Sequence, residues 1–397
     1  MSKFKTTITL ILTFLFIPTL YATPSLIGQT QNQIGEFNII EQHWQDGDNS
    51  LNQFSTKKIN KLNTSNNKKP IIILVSAFNV TIDHMSLSST GDYADSFEAI
   101  IANQGYEVWV IEDRMLHADP SICDQQDCSI MSQWGLEQRI ADIKWLKDEI
   151  IQTDNVIVGG ITGGGMAAIA TVNRYPDDFL GVFSTGALYS NDPLTQLHNM
   201  QSCDDFRFAQ SQGGHYIDVL SGFDPVIALA QYLPDDDSPI FPGLTNLQTM
   251  MTILGVPGFL GKNAYSADYV FALAYSDLSS FKYLDIDLFY QDYALFGHLA
   301  SLQHHIDINC AFTGERTFTD NLSAFNGKVL LLGGGGAMTP MMLDTADLFT
   351  FANVKVIDNP QDGGEADNYL VPIKLRKKIL DKPVLKWLKE VNINNVF

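Results

Sequence analysis

The sequence predicts an α/β protein: a mostly parallel sheet with helices on both faces, interrupted by a large, mainly helical cap insertion. Three observations predict it. Short continuous runs of β-branched and aliphatic residues, headed by Ile71-Ile72-Ile73-Leu74-Val75, read as strands buried on both faces. Stretches of helical character separate them, the alternation that gives right-handed crossovers between parallel strands. The alternation stops near Ser190 and resumes at Lys328 with Val329-Leu330-Leu331-Leu332, leaving residues 190–325 as an insertion.

Along the chain, residues 1–22 carry Lys3 and Lys5, an apolar run from Ile8 to Phe16, then Pro18 and the small Ala22. That is the layout of a secretory signal peptide, with an uncleaved N-terminal anchor as the competing reading. Residues 23–69 are polar, with short strand-like pieces such as Phe37 to Ile40. After the strand at 71–75 come a helix around Tyr93 to Asn103, a strand at Glu107 to Ile111 and a loop holding Cys123 and Cys128. A helix from Ser132 to Ile151, a strand at Asn155 to Val158, a glycine-rich turn at 159–165 opening a helix near Met166, and a strand at Leu180 to Thr185 follow. The second block adds a strand at Val354 to Ile357 and a helix from Pro383 to Val391. The expected organisation is a signal peptide (1–22), a first core part (23–189), the cap (190–325) and a second core part (326–397).

With 25 basic against 45 acidic residues the net charge is −20. That argues against nucleic acid or an anionic membrane as partner, because like charges repel and no counterion release drives association. No later apolar run approaches the ~18 residues of a membrane span, so the exported chain, periplasmic or extracellular, is expected to lack an integral membrane segment. Four cysteines in an oxidising compartment suit disulfides. Cys123 and Cys128 would pair locally, and Cys203 with Cys310 would join the two ends of the insertion; zinc is the competing idea, but no Cys-x-x-Cys or matching His pair accompanies them. The basic C-terminal stretch, Lys374 to Lys389, reads as solvated helix faces with Leu385, Trp387 and Leu388 turned inward.

The chemistry-bearing segment is Val156-Ile157-Val158-Gly159-Gly160-Ile161-Thr162-Gly163-Gly164-Gly165, a buried strand entering an alanine-rich helix through a tight glycine turn. Gly160, Thr162 and Gly164 occupy the three fixed positions of a Gly-x-Ser-x-Gly nucleophile elbow. Here the chain resembles the α/β-hydrolase superfamily, specifically bacterial esterase- and lipase-like members, over about 70–189 and 326–390. Ile71 to Asn79 is similar to the strand and loop that supply one oxyanion-hole N–H, so the resemblance implies Ser76, Ala77, Phe78 and Gly163 as that region. Leu330 to Gly336 resembles the strand that delivers the triad acid, and Gly364-Glu365-Ala366-Asp367 stands where such proteins have a Gly-His-x-Asp loop.

All three triad positions depart from the pattern. Threonine, Thr162, replaces the serine, the acid's window is Gly336-Ala337, and Glu365 replaces the histidine. A Ser–His–Asp mechanism needs a base to take the hydroxyl proton and a carboxylate to orient that base. A β-branched residue also fits a strained elbow badly, and Gly163 and Gly165 are expected to relax that strain. A rearranged site would take its base from elsewhere: His84 after the oxyanion loop is nearest by topology, with His117, His298, His304 and His305 further off, and Asp192 as a replacement acid.

Other signals weigh less. The glycine turn lacks a clean Gly-x-Gly-x-x-Gly and an acid for a ribose; the run at 333–336 lacks a following Gly-Lys; and Asp235-Asp236-Asp237 lacks EF-hand spacing. No cofactor and no metal are therefore expected. Ten aromatics between Tyr265 and Phe296 suit both a cap core and an apolar ligand wall. The leading expectation is a triad-degenerate protein that binds an apolar or ester-like small molecule without ordinary Ser–His–Asp hydrolysis. The alternatives are an ester hydrolase with a site rearranged around Thr162, with Glu365, His84 or Asp192 in acid–base roles, and a protein-interaction module working through the cap.

Overall fold

The computed structural model describes residues 23–63, 69–255, 285–333, 338–358 and 369–393. Glu365, the Gly336-Ala337 window, the expected signal peptide and most of the aromatic-rich cap segment lie outside them. Among the described residues, eleven strands form in chain order: β1 (Ser25–Ile34), β2 (Phe37–Gln45), β3 (Gln53–Lys61), β4 (Ile71–Val75), β5 (Val108–Ile111), β6 (Val156–Gly160), β7 (Gly181–Ser184), β8 (Tyr216–Asp218), β9 (Leu299–Ser301), β10 (Lys328–Gly333) and β11 (Asn353–Asp358). Nine make one sheet in the order β1-β2-β3-β5-β4-β6-β7-β10-β11. From β5 to β11 the pairings are parallel, while β1, β2 and β3 extend the sheet antiparallel.

Alternate residues of each central strand feed opposite cores, as the two-residue period requires. Ile72, Leu74, Val108, Val110 and Ile157 join one cluster with helix Phe97–Asn103 and Val384, Trp387 and Leu388 of helix Lys382–Ile393. Ile73, Val75, Trp109, Ile111, Val156 and Val158 join the other with helices Leu136–Trp145 and Gly163–Arg174. Both faces are thus covered, which is why the strand sequences run apolar without alternation.

Two expectations are corrected. Residues 23–61 form three long strands rather than short pieces. β1 is exposed along nearly its whole length, and side-chain amides pair across it, Gln31 to Asn38 at 2.8 Å and Gln42 to Gln29 at 3.0 Å, so no apolar pattern marks it. The insertion is not purely helical: β8 and β9 pair as a two-stranded antiparallel ribbon. Its frame is otherwise helical, with Pro193–Ser211 packed against Leu302–Ala311. The Cys203–Cys310 disulfide joins these two helices, and Cys123–Cys128 closes the loop after β5. Both pairings match the expectation. Among the described residues no helix is long and apolar enough to cross a membrane.

Candidate active site

β6 ends at Gly160 and the next helix starts at Gly163, so the reversal takes two residues, Ile161 and Thr162. Such a turn brings backbone against backbone. A Cβ on Gly160 would lie 2.4 Å from the carbonyl carbon of Gly164, and one on Gly164 would lie 2.2 Å from the Val75 carbonyl oxygen. Thr162 sits at the apex with φ +50° and ψ −125°. That is an outlier for a β-branched residue and costs of order 1–3 kcal/mol. The expected relaxation by Gly163 and Gly165 does not occur, because both glycines are helical and the turn is fixed by its packing. Thr185 completes the clamp, its Oγ1 accepting from the Thr162 N–H at 2.9 Å.

The loop after β4 lies across this apex. A Cβ on Gly163 would stand 2.7 Å from Phe78 Cβ and 3.3 Å from Phe78 N. The Phe78 backbone therefore packs against Gly163, and among the described residues the N–H of neither residue has a hydrogen-bond acceptor. Two free backbone donors, one at a helix N-terminus, beside an elbow hydroxyl are the arrangement that receives a carbonyl oxygen as it gains negative charge. Several contacts hold the loop rigid. Ser76 is fully buried, and its carbonyl accepts from Arg139 Nη2 at 2.8 Å. Asp113 takes the Asn79 N–H at 2.7 Å and the Met115 N–H at 3.0 Å. Burial pushes the Asp113 carboxyl up, and nearby Arg139 and these N–H donors oppose the rise. Asn79, itself at φ +55°, donates to the Gly297 carbonyl at 2.6 Å and accepts from the Gly297 N–H at 3.0 Å, tying the loop to the cap.

The structure disperses the candidate histidines. His304 stacks on Phe78 with ring centroids 4.1 Å apart, and its pKa is held well below normal by burial and then by Arg139; burial pushes His305 down to about 4. Both are neutral imidazoles without a carboxylate partner among the described residues. His117 faces Glu112 at 3.6 Å, and His298 faces Asp224 at 3.6 Å on the surface. Asp192 caps helix Pro193–Ser211, accepting from the Thr195 N–H and hydroxyl, both at 2.7 Å; those bonds hold its carboxyl below the usual range.

His84 differs. It is buried on the 3₁₀ turn Ile82–Ser86, and its Nδ1 bonds the buried Asp292 carboxylate of helix Ile286–Tyr293. Its Nε2 has no protein partner among the described residues. The turn is anchored by the Ile82 N–H donating to Glu112 at 2.9 Å, and by buried Lys57, whose ammonium reaches the Ile82 carbonyl at 3.0 Å and Ser86 Oγ at 2.6 Å. His84, Tyr369 and Ile161, the residue before Thr162, line one small cavity of about 10 Å³. The Tyr369 ring stands 4.8 Å from the imidazole, at the re-entry from the segment that contains Glu365. No imidazole hydrogen-bonds to the Thr162 hydroxyl among the described residues.

Sequence reasoning did not single out Asp292. The signal was available: Leu288 and Asp292 are four apart on one helix face, and a carboxylate sharing an apolar face needs a buried partner.

No protein-family model matches this chain, and no curated protein matches it. Solved structures do. A candidate lipase from Sulfolobus solfataricus superposes with a TM-score of 0.61 at 17% identity, over 92% of this chain and 99% of that one. An acetylester hydrolase from Corynebacterium glutamicum gives 0.48 at 13% identity, over 93% and 95%. A thermophilic esterase from Thermogutta terrifontis gives 0.46 at 12% identity, over 87% and 96%. Taken with the strand order and the strained turn after β6, the likeness to the Sulfolobus structure establishes that the chain has the α/β-hydrolase fold.

Proposed function

We propose that this protein binds an apolar, ester-like small molecule at the β6 elbow, holding its acyl carbonyl oxygen between the N–H groups of Phe78 and Gly163, and that it does so without a Ser–His–Asp triad in the usual places. The observation that supports this reading is the pair of unengaged N–H donors beside Thr162. Phe78 offers apolar surface beside the two donors, and the aromatic-rich composition of the cap sequence is in keeping with an apolar ligand. Export belongs to the same reading, supported by two formed disulfides.

The test is ligand-dependent thermal stabilisation by a medium-chain alkyl methyl ketone, an unhydrolysable isostere of an acyl ester. Binding at 100 times Kd should add about 2.7 kcal/mol of stability. The shift should grow with chain length and disappear when the corresponding alkane is used, since only the ketone offers an oxygen to the two donors. Equal shifts from ketone and alkane would remove the carbonyl cradle from the argument.

A further inference from the structure

We propose that the open edge of β1 is a self-association surface: it pairs antiparallel with β1 of a second copy of this chain, joining the two sheets across a twofold axis at Gln31. The occupant follows from what the strand carries and what it lacks.

β1 ends the sheet order, and among the described residues no strand lies beyond it. It is ten residues long, every residue but Gly28 is exposed, and its ladder to β2 is its one strand pairing. Ordering a backbone costs free energy that side-chain burial normally offsets; β1 buries almost nothing, and a second ladder would add the missing stabilisation. Natural sheets guard such an edge with charge or proline. β11, at the other end of the sheet, is six residues long and carries Lys355 and Asp358. β1, Ser25-Leu26-Ile27-Gly28-Gln29-Thr30-Gln31-Asn32-Gln33-Ile34, has no charged residue and no proline. Its one irregularity is a bulge between Leu26 and Gly28, after which Gly28 to Ile34 form a regular ladder with β2.

Charge selects a second copy. At a net charge of −20, like charge opposes the approach of two chains, and an uncharged strand lets them meet without setting acids against each other. The strand also complements itself. Gly28 to Ile34 is centred on Gln31, so an antiparallel pair about that residue sets Gln31 against Gln31 of the second copy. Gln29 then meets Gln33, Thr30 meets Asn32, and Gly28 meets Ile34. Amides and hydroxyl both donate and accept, so each polar pair can bond in either sense. Gln31 already donates to Asn38 at 2.8 Å, which leaves its amide oxygen to accept, and Gln29 accepts from Gln42 at 3.0 Å, which leaves its amide N–H to donate. Gly28 presents no side chain opposite Ile34, which is 45% exposed, so that side chain can lie over the partner strand. The open backbone N–H and C=O groups supply the ladder, as in other strand additions, and the same patch serves both copies, as a twofold axis requires.

The experiment is sedimentation equilibrium of the full chain over a concentration series. The wild type should move to twice the chain mass as concentration rises. Gln31→Lys and Gln31→Glu each set like charges directly opposite one another at the axis and should each remain monomeric. An equimolar mixture of the two should recover the doubled mass, because lysine then faces glutamate. Gln31 is exposed, so both variants should melt with the wild type. Gln31→Cys should form a disulfide-linked dimer on mild oxidation, since a residue on the axis meets its own copy. A wild type that is monomeric at every concentration, a dimer that persists in both charge variants, or a mixture that stays monomeric would each overturn the proposal.

Discussion

Gly163→Ala is the sharpest probe of the elbow, because the structure fixes what the added methyl would meet. Its Cβ would stand 2.7 Å from Phe78 Cβ, where carbon atoms at rest keep ~3.5–4.0 Å. The clash is with the root of a side chain, so rotation of the Phe78 ring cannot relieve it; the loop must retreat by about 1 Å. Overpacking of this kind costs typically 1–3 kcal/mol, against which the better helix propensity of alanine returns up to ~1 kcal/mol. The net effect on stability is therefore modest, about 0–2 kcal/mol. The effect on the site is direct, because retreat carries the Phe78 N–H away from the Gly163 N–H. A neutral ketone oxygen that loses one of two such donors loses about 0.5–1.5 kcal/mol of binding. The variant should consequently melt within a few degrees of the wild type while its ketone-induced thermal shift falls measurably. A variant that keeps the full shift would refute the claim that these two N–H groups form the carbonyl site.

Other perturbations carry their own signs. Thr162→Gly removes a β-branched residue from φ +50°, relieving about 1–3 kcal/mol of strain against roughly 0.5–1 kcal/mol of added unfolded-chain freedom, and should stabilise the fold by about 0–2 kcal/mol in urea unfolding; clear destabilisation would contradict the strain argument. Asp307, which accepts from the Leu136 N–H at 2.7 Å, is raised to about 6 by burial, so the folded state holds its proton more tightly than the unfolded chain does. Its contribution to stability therefore falls as pH rises from about 4 to about 6, and Asp307→Asn should remove that slope from paired urea titrations. His305 behaves oppositely: with its pKa lowered to about 4, its contribution is complete above pH 6.5 and is lost as pH falls towards 4, a dependence that His305→Phe should abolish. Cys203 and Cys310 close a loop with a sequence separation of 107, so Cys203→Ser should cost on the order of 4–5 kcal/mol of unfolding free energy, whereas Cys123→Ser, closing a separation of 5, should cost far less.

The central strands were legible because burial on both faces writes itself as uninterrupted aliphatic runs, and the glycine turn because close backbone approach admits no side chain. β1 was not legible, since an exposed edge strand satisfied by amide pairs needs no apolar period. The short ribbon β8–β9 escaped for a related reason, as three-residue strands carry too little pattern. At the site, the oxyanion region at Ser76 to Phe78 was only implied by the family resemblance, while the glycine spacing marked the turn apex at Thr162. That the apex keeps its strain could not be read, because the neighbours that enforce it, Val75 and Ser184, come from other strands. The His84–Asp292 contact spans 208 positions, and no local rule joins a turn in the core to a helix in the insertion. Its trace in the sequence was a single acid on an apolar helix face.

The Cys203–Cys310 bridge has a consequence for how this protein can diversify. It cross-links the insertion near both of its roots, so the stretch between them is tethered at entry and exit by a covalent bond rather than by its own folding. Lengthening, trimming or resurfacing that stretch leaves the hinge points where they are. The insertion's sequence can then drift independently of the sheet, much as a glove may be re-cut without altering the cuff.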